Sequence, residues 1–312
     1  MFPVIVILSM IILIFYCWQF RPLDKQIGGV FRRIDRNISS FGSLSEYKQK
    51  IIKKRQSLKA RLSSKKLKKI IRNSTVDIIQ VNHQGMLLLN EYNYSPRPVF
   101  QSYLAYNSFL KKKNLRFYMD DLTAPEYLIF KAYTIDNRFP LQDDSLSLLY
   151  IFQRYSILDR DGQYLILERN REAPIGSSII TEEKTIFLNK PFKTHFSDKC
   201  FYTISLEFRR NILGKIANFL YKNPVIYMKI NKKHIYRINP DNFKDEVLIS
   251  PSLITNNDIL NYSKNRSLPR ALVTDLEIFV DNHIVSFYRN RIFITIRKYP
   301  EMAFFKNETG RL

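Results

Sequence analysis

The chain has 312 residues, and its 50 Lys and Arg against 28 Asp and Glu give a formal charge of +22. Such a balance points to polyanionic partners. Only two cysteines occur, which excludes a disulfide scaffold. With eight glycines in all, a Gly-rich phosphate-cradling loop is not expected, and no Walker or Rossmann motif is present.

The first segment, Phe2 to Phe20, is almost wholly apolar and carries no charge. A bilayer core takes about 20 apolar residues in a helix. The run is not preceded by Lys or Arg, and it ends in Phe15, Tyr16, Trp18 and Phe20 rather than in a small-residue cleavage site. Residues 1–22 therefore read as an uncleaved transmembrane anchor, with Tyr16 and Trp18 at headgroup level. Arg21, Lys25, Arg32, Arg33 and Arg36 follow the segment, so the positive-inside rule places the rest in the cytoplasm.

Residues 23–73 read as a basic helical linker. From Lys48 to Arg72 there are twelve Lys or Arg and no acid. Ile51, Ile52, Leu58, Leu62, Leu67, Ile70 and Ile71 recur at helical spacing, with a break near Ser63-Ser64. Lys53, Lys54, Arg55, Arg61, Lys65, Lys66, Lys68 and Lys69 are the candidate membrane-surface residues. Beside a span, such a cluster attracts anionic lipid headgroups. The alternative is compositional: the chain is rich in Lys, Asn, Ile, Tyr and Phe throughout. Nucleic acid is not expected as a partner, because no zinc-finger spacing and no RNA-recognition signature occurs.

About 290 residues follow the anchor, room for two modest domains. In residues 74–170, strands are expected at 76–81, 98–103 and 126–130. Helices are expected at 107–115, capped by Asn107 or Ser108, and at 143–155. A hairpin turns at Asp161-Gly162. This alternation predicts a small layered α/β domain on a mostly parallel sheet. In residues 171–312, strands are expected at 185–188, 201–208, 225–230, 234–238, 247–254, 272–280, 284–288 and 292–296. Hairpin turns fall at Lys232-Lys233 and Arg289-Asn290, and residues 209–221 read as a helical insert. These strands predict an antiparallel β-sandwich of jelly-roll type. Its aromatics (Phe201, Tyr202, Phe208, Tyr227, Tyr236, Phe279, Phe287, Tyr288 and Phe293) fall mostly on core-facing positions. Any left exposed would suit carbohydrate stacking.

The segments STVDIIQVNHQGMLLLNEYNYSPRPVFQSYLAYNSFLKKKN, APEYLIF and TIDNRFPLQDDSLSLLYIFQRY resemble a family of uncharacterised bacterial membrane proteins. In that family a similar soluble region follows transmembrane helices. NFLYKNPVIYMKI and VLISPSLI are similar as well, so the resemblance spans the last three quarters of the chain. It implies a cell-envelope protein with its soluble part outside the cytoplasm, against the charge rule. Some members look like polytopic glycosyltransferases, which is an analogy of fold rather than of site. This chain has one expected span and lacks a multi-span core.

Two clusters are candidates for ligand binding. Tyr94, Arg97, Gln101 and Tyr103 gather around Pro96 and Pro98, where rigid aromatic and forked cationic groups suit a sugar or a phosphate. The alternative is a structural loop whose Arg97 pairs with a carboxylate of its own domain. Asp136, Arg138 and Asp143 or Asp144 lie where an α/β sheet offers its crevice. They suit acid–base work, or else turns and helix caps. His83, His195, His234 and His283 do not pair at metal-ligand spacing, so neither a metal nor a cofactor is expected. Three functions follow. One is a membrane-anchored binding or accessory module that meets envelope glycan or a partner membrane protein. Another is an enzyme acting on envelope polysaccharide or lipid-linked sugar, which requires Arg97, Asp136 and Asp143 or Asp144 to converge in one pocket. A third is a lipid-surface scaffold working through the residue 48–72 helix, which requires salt-sensitive lipid binding that survives loss of the anchor.

Overall fold

The computed structural model describes residues 9, 10, 14, 23–173, 175–197, 200–220, 225–265, 271–281 and 285–299. The expected anchor lies outside these residues except for Ser9, Met10 and Ile14. Among the described residues no helix is long and apolar enough to cross a membrane. The chain divides into two units, Met1–Leu62 and Ser63–Leu312.

The first unit holds helices α1 (Leu23–Gly42) and α2 (Leu44–Leu62). Ser43 links them, its N–H and its hydroxyl both donating to the Ser39 carbonyl. No residue of α2 is buried. Leu44, Tyr47, Ile51, Leu58 and Leu62 recur at three-, four- and seven-residue spacing along one narrow side, flanked by Lys54 and Arg55.

The second unit opens with α3 (Lys65–Ile71), begun by Ser64, whose hydroxyl accepts the Leu67 N–H at 3.1 Å. The expected break at Ser63-Ser64 is therefore present. The single linker of residues 23–73 is not: α3 buries Leu67 and Ile71 in the body. The elements that follow are β1 (Val76–Ile79), α4 (Gln84–Leu89), α5 (Ser108–Met119), β2 (Tyr127–Phe130), α6 (Ser145–Arg154), β3 (Tyr155–Asp161) and β4 (Tyr164–Arg169). They make a sheet in the order β1-β2-β4-β3. Only β1 and β2 are parallel; the other two pairs are antiparallel. This corrects the mostly parallel sheet expected. The physical reason is the tight turn at Gly162 (φ 55°), which folds β4 back between β3 and β2.

The strand expected at 98–103 is absent. Pro96 and Pro98 bring no N–H to a ladder, and residues Ser102–Leu104 close a 3-10 turn instead. Only Tyr94 pairs with the sheet, through a parallel bridge to Val76. The helix cap is as expected: Asn107 accepts the Leu110 N–H at 2.9 Å.

Eight further strands follow among the described residues: β5 (Ile179–Phe187), β6 (Lys190–Lys193), β7 (Phe201–Arg210), β8 (Ile226–Ile230), β9 (His234–Ile238), β10 (Val247–Ser250), β11 (Asp275–Phe279) and β12 (Tyr288–Tyr299). Helix α7 (Ile212–Leu220) joins β7 to β8, and α8 (Asn256–Asn265) follows β10. The strands form two antiparallel sheets, ordered β10-β7-β12-β5 and β6-β11-β8-β9. The Lys232-Lys233 turn is present, with Asn231 and Lys232 at positive φ. The Arg289-Asn290 hairpin is not: residues 288–299 run as one strand, which absorbs the turn residues as a bulge against β7 between Tyr288 and Ile292.

One apolar cluster contains Leu128, Phe152 and Leu165 together with Leu206 and Ile294 of one antiparallel sheet and Met228 and Ile278 of the other. The boundary expected at residue 170 therefore separates no independent cores. The fold is mixed α/β and rich in antiparallel sheet.

Candidate functional site

Strand β1 is buried along its whole length, yet its second residue is an aspartate. Asp77 accounts for the position of Arg97. Arg97 Nη1 donates to Asp77 Oδ2 at 2.7 Å and to the Ile78 carbonyl at 2.8 Å. Its Nη2 donates to the Phe100 carbonyl at 2.7 Å and to Ser102 Oγ at 3.0 Å. Tyr118 Oη donates to the same Asp77 oxygen at 2.8 Å. Arg97 Nε faces Asp144 Oδ2 at 3.7 Å, and the side chains of Arg97, Asp77 and Asp144 are all shut off from solvent. The prolines on either side hold the loop so that this guanidinium points inward.

Asp144 sits in the left-handed region just before α6 (φ 54°). It accepts Asn114 Nδ2 at 2.7 Å and Ser147 Oγ at 2.8 Å. Burial raises its pKa against the opposing pull of Arg97. Burial also works against the charge on Arg97, but Tyr118, Asp77 and Asp144 outweigh it and push that pKa up.

A second polar cluster adjoins the first. Asp143 Oδ1 lies 3.5 Å from Arg138 Nη1 and accepts Asn242 Nδ2 at 3.1 Å. Burial pushes its pKa up to about 6. The fully buried Lys111 on α5 reaches Asp245 Oδ2 at 2.5 Å and donates to the Asn242 carbonyl at 3.2 Å. Gln142 and Phe139 bond the edge of β9, with Phe139 N–H donating to the Arg237 carbonyl at 3.1 Å. These contacts tie the β1–β4 sheet region to the segment between β9 and β10.

The sequence-predicted residues thus fall in four places. Arg97 is an interior strut. Arg138 joins Asp143 to Asp136, whose side chain is exposed and 3.8 Å away. Gln101 and Tyr103 are partly exposed and bond each other at 2.8 Å, apart from the Arg97 side chain's own partners. Tyr94 is half-buried, and burial lifts its phenol to about 12. Arg97 meets Asp144 with both side chains closed to solvent, whereas Asp136 is exposed. A cavity of about 340 Å³ lies elsewhere, lined by residues that include Asn231, Lys233, His234, Ser252 and Asp258.

No family model matches this chain, and no curated protein or solved structure matches it. The resemblance carried by the Ser74–Arg169 segments has no counterpart in these comparisons. Among the described residues, no group of three His, Cys, Asp or Glu is placed to hold a metal.

Sequence reasoning missed Asp77, Lys111, Asn114 and Tyr118. Asp77 alone left a signal, as a lone charge inside an apolar run. The expected core-facing aromatics need one correction. Phe201, Tyr202 and Tyr288 are buried, but Phe293 is exposed. Tyr227 and Phe279 stack, centroids 5.3 Å apart, on the face of their sheet opposite the buried Met228 and Ile278, with Lys229 over the Phe279 ring. Alternation puts them there: each lies one residue away from a core side chain.

The candidate membrane-surface residues Lys53, Lys54, Arg55, Arg61, Lys65, Lys66, Lys68 and Lys69 are all exposed. One of them is engaged: Lys66 bonds Asp159 Oδ1 at 2.7 Å and the Arg160 carbonyl at 2.8 Å.

Proposed function

We propose that this chain is a membrane-held binding or accessory module of the bacterial cell envelope, anchored by its first apolar segment with its body outside the cytoplasm. The observation that carries this reading is a contrast in exposure. The charged residues that could do chemistry, Asp77, Arg97, Lys111 and Asp144, are consumed inside the body. Exposed charge of one sign gathers on α2, where Lys48, Lys50, Lys53, Lys54, Arg55 and Arg61 face one acid, Glu46.

Lys and Arg on a helix with no buried residue attract an anionic lipid surface within a Debye length. The two antiparallel sheets, sharing one core, fit a β-sandwich. Its outer Tyr227–Phe279 stack beside Lys229 offers a ring platform of the kind that meets a sugar face, which supports envelope glycan as the ligand of the body.

The test is flotation of residues 23–312 with vesicles of phosphatidylcholine, alone or mixed with phosphatidylglycerol, at low and high salt. The module reading expects flotation only with the anionic vesicles and its loss in high salt. Equal flotation with neutral vesicles, or none with either, would overturn it.

A further inference from the structure

Helix α1 carries a face that nothing in the described chain covers. At 3.6 residues per turn, Val30, Phe31, Ile34 and Ile38 share an arc of about 100°. They are 53%, 66%, 47% and 66% exposed. Arg32, Arg33 and Arg36 lie on the far side of the helix, and its two acids, Asp24 and Asp35, fall by helical spacing at the margin of the apolar arc. A side chain at Gly28 or Gly29 would meet nothing within 4 Å.

The occupant follows from charge and position. The helix comes directly after the uncharged Phe2–Phe20 segment and directly before the basic α2. A helix with an apolar stripe, an arginine-rich opposite face and low overall hydrophobicity matches the pattern that lies in a membrane interface. A second copy is the rival occupant: with Phe31 and Ile38 as heptad a positions, Ile27, Ile34 and Phe41 fall at d and Val30 lies beside that seam at g. The arginine-rich opposite face and the position beside the uncharged first segment favour the membrane.

We propose that α1 lies in the plane of the membrane interface, with Val30, Phe31, Ile34 and Ile38 among the acyl chains and Arg32, Arg33 and Arg36 at anionic headgroups. The proposal rests on the reading of the chain as membrane-held. It adds a monotopic element, distinct from the expected anchor and from the basic α2.

The experiment uses the full chain in vesicles of phosphatidylcholine and phosphatidylglycerol, in a Cys17→Ser, Cys200→Ser background. Single cysteines replace Val30, Phe31, Arg32, Arg33, Ile34, Arg36 or Ile38 in turn, and each carries a nitroxide. Collision with oxygen, which concentrates in hydrocarbon, is compared with collision with a water-soluble nickel chelate. The expected result is a ratio of oxygen to nickel accessibility several-fold higher at 30, 31, 34 and 38 than at 32, 33 and 36. Equal ratios on both faces would overturn the proposal. So would shielding of the apolar face from both reagents together with spin–spin broadening, which would mark a second copy as the occupant. The flotation test separates the two claims. Salt-sensitive flotation with flat ratios leaves the module standing without α1, whereas failed flotation removes the module itself.

Discussion

Arg97 Nη1 stands 2.7 Å from Asp77 Oδ2, and neither side chain is open to solvent. The pair links the first strand of the sheet to the proline loop and, through Asp144, to the start of α6. A buried ion pair of this kind is costly to break from one side, because the partner is left charged and dry. Arg97→Met is expected to destabilise the detergent-solubilised chain by about 3–5 kcal/mol in denaturant unfolding. Adding Asp77→Asn and Asp144→Asn should recover part of that loss. A ligand-binding arginine would instead leave stability close to wild type.

The buried carboxyl of Asp143 makes stability depend on pH. An unfolded aspartate titrates near 3.8, whereas this one holds its proton to about 6. Between those values the folded chain binds more protons than the unfolded chain, so stability falls as pH rises and levels off above pH 6. A shift of roughly two units amounts to about 3 kcal/mol. Asp144 is shifted in the same direction, so the difference between wild type and Asp143→Asn isolates the Asp143 share. The variant should lack that share of the fall and should be the more stable protein above pH 6, as read from unfolding midpoints across that range.

What the sequence made legible was local. The Asp161-Gly162 and Lys232-Lys233 turns, the Asn107 cap and the Ser63-Ser64 break depend on neighbours within a few positions, and each is present. The burial of Arg97 was not legible, since its partners Asp77 and Tyr118 lie 20 and 21 positions away. The parallel or antiparallel sense of the first sheet was hidden for the same reason: alternating strands and helices do not say where a hairpin will dock. Arg289-Asn290 resembles a turn in isolation, but it falls in the bulge of a long strand that pairs with β7 on either side, at Tyr288 and from Ile292 onward.

Helix α7 is seated by a glycine. A Cβ on Gly214 would stand 1.9 Å from the Phe287 carbonyl oxygen, a backbone atom with no side-chain rotamer to change. Gly214→Ala is expected to cost about 1–3 kcal/mol, as overpacking does. It should also raise cleavage within residues 212–220 under limited proteolysis. Unchanged stability and cleavage would mean that α7 docks elsewhere.

Topology separates the two sequence signals for orientation. Alkaline phosphatase fused after Leu312 is expected to be active in a bacterial host, because the body is proposed to lie outside the cytoplasm. An inactive fusion, with a cytoplasmic reporter active at the same position, would follow the positive-inside rule and remove envelope glycan as the ligand.

The central claim is that the chain is a membrane-held module whose α2 charge engages an anionic lipid surface beside the anchor, and neutralising that charge tests it most directly. Lys53, Lys54, Arg55 and Arg61 are changed together to Gln in residues 23–312, and partition onto phosphatidylglycerol-containing vesicles is measured at low salt. At about 1 kcal/mol for each basic residue, the four substitutions should lower the partition coefficient by roughly a thousandfold. Partition that matches the parent chain would contradict the account.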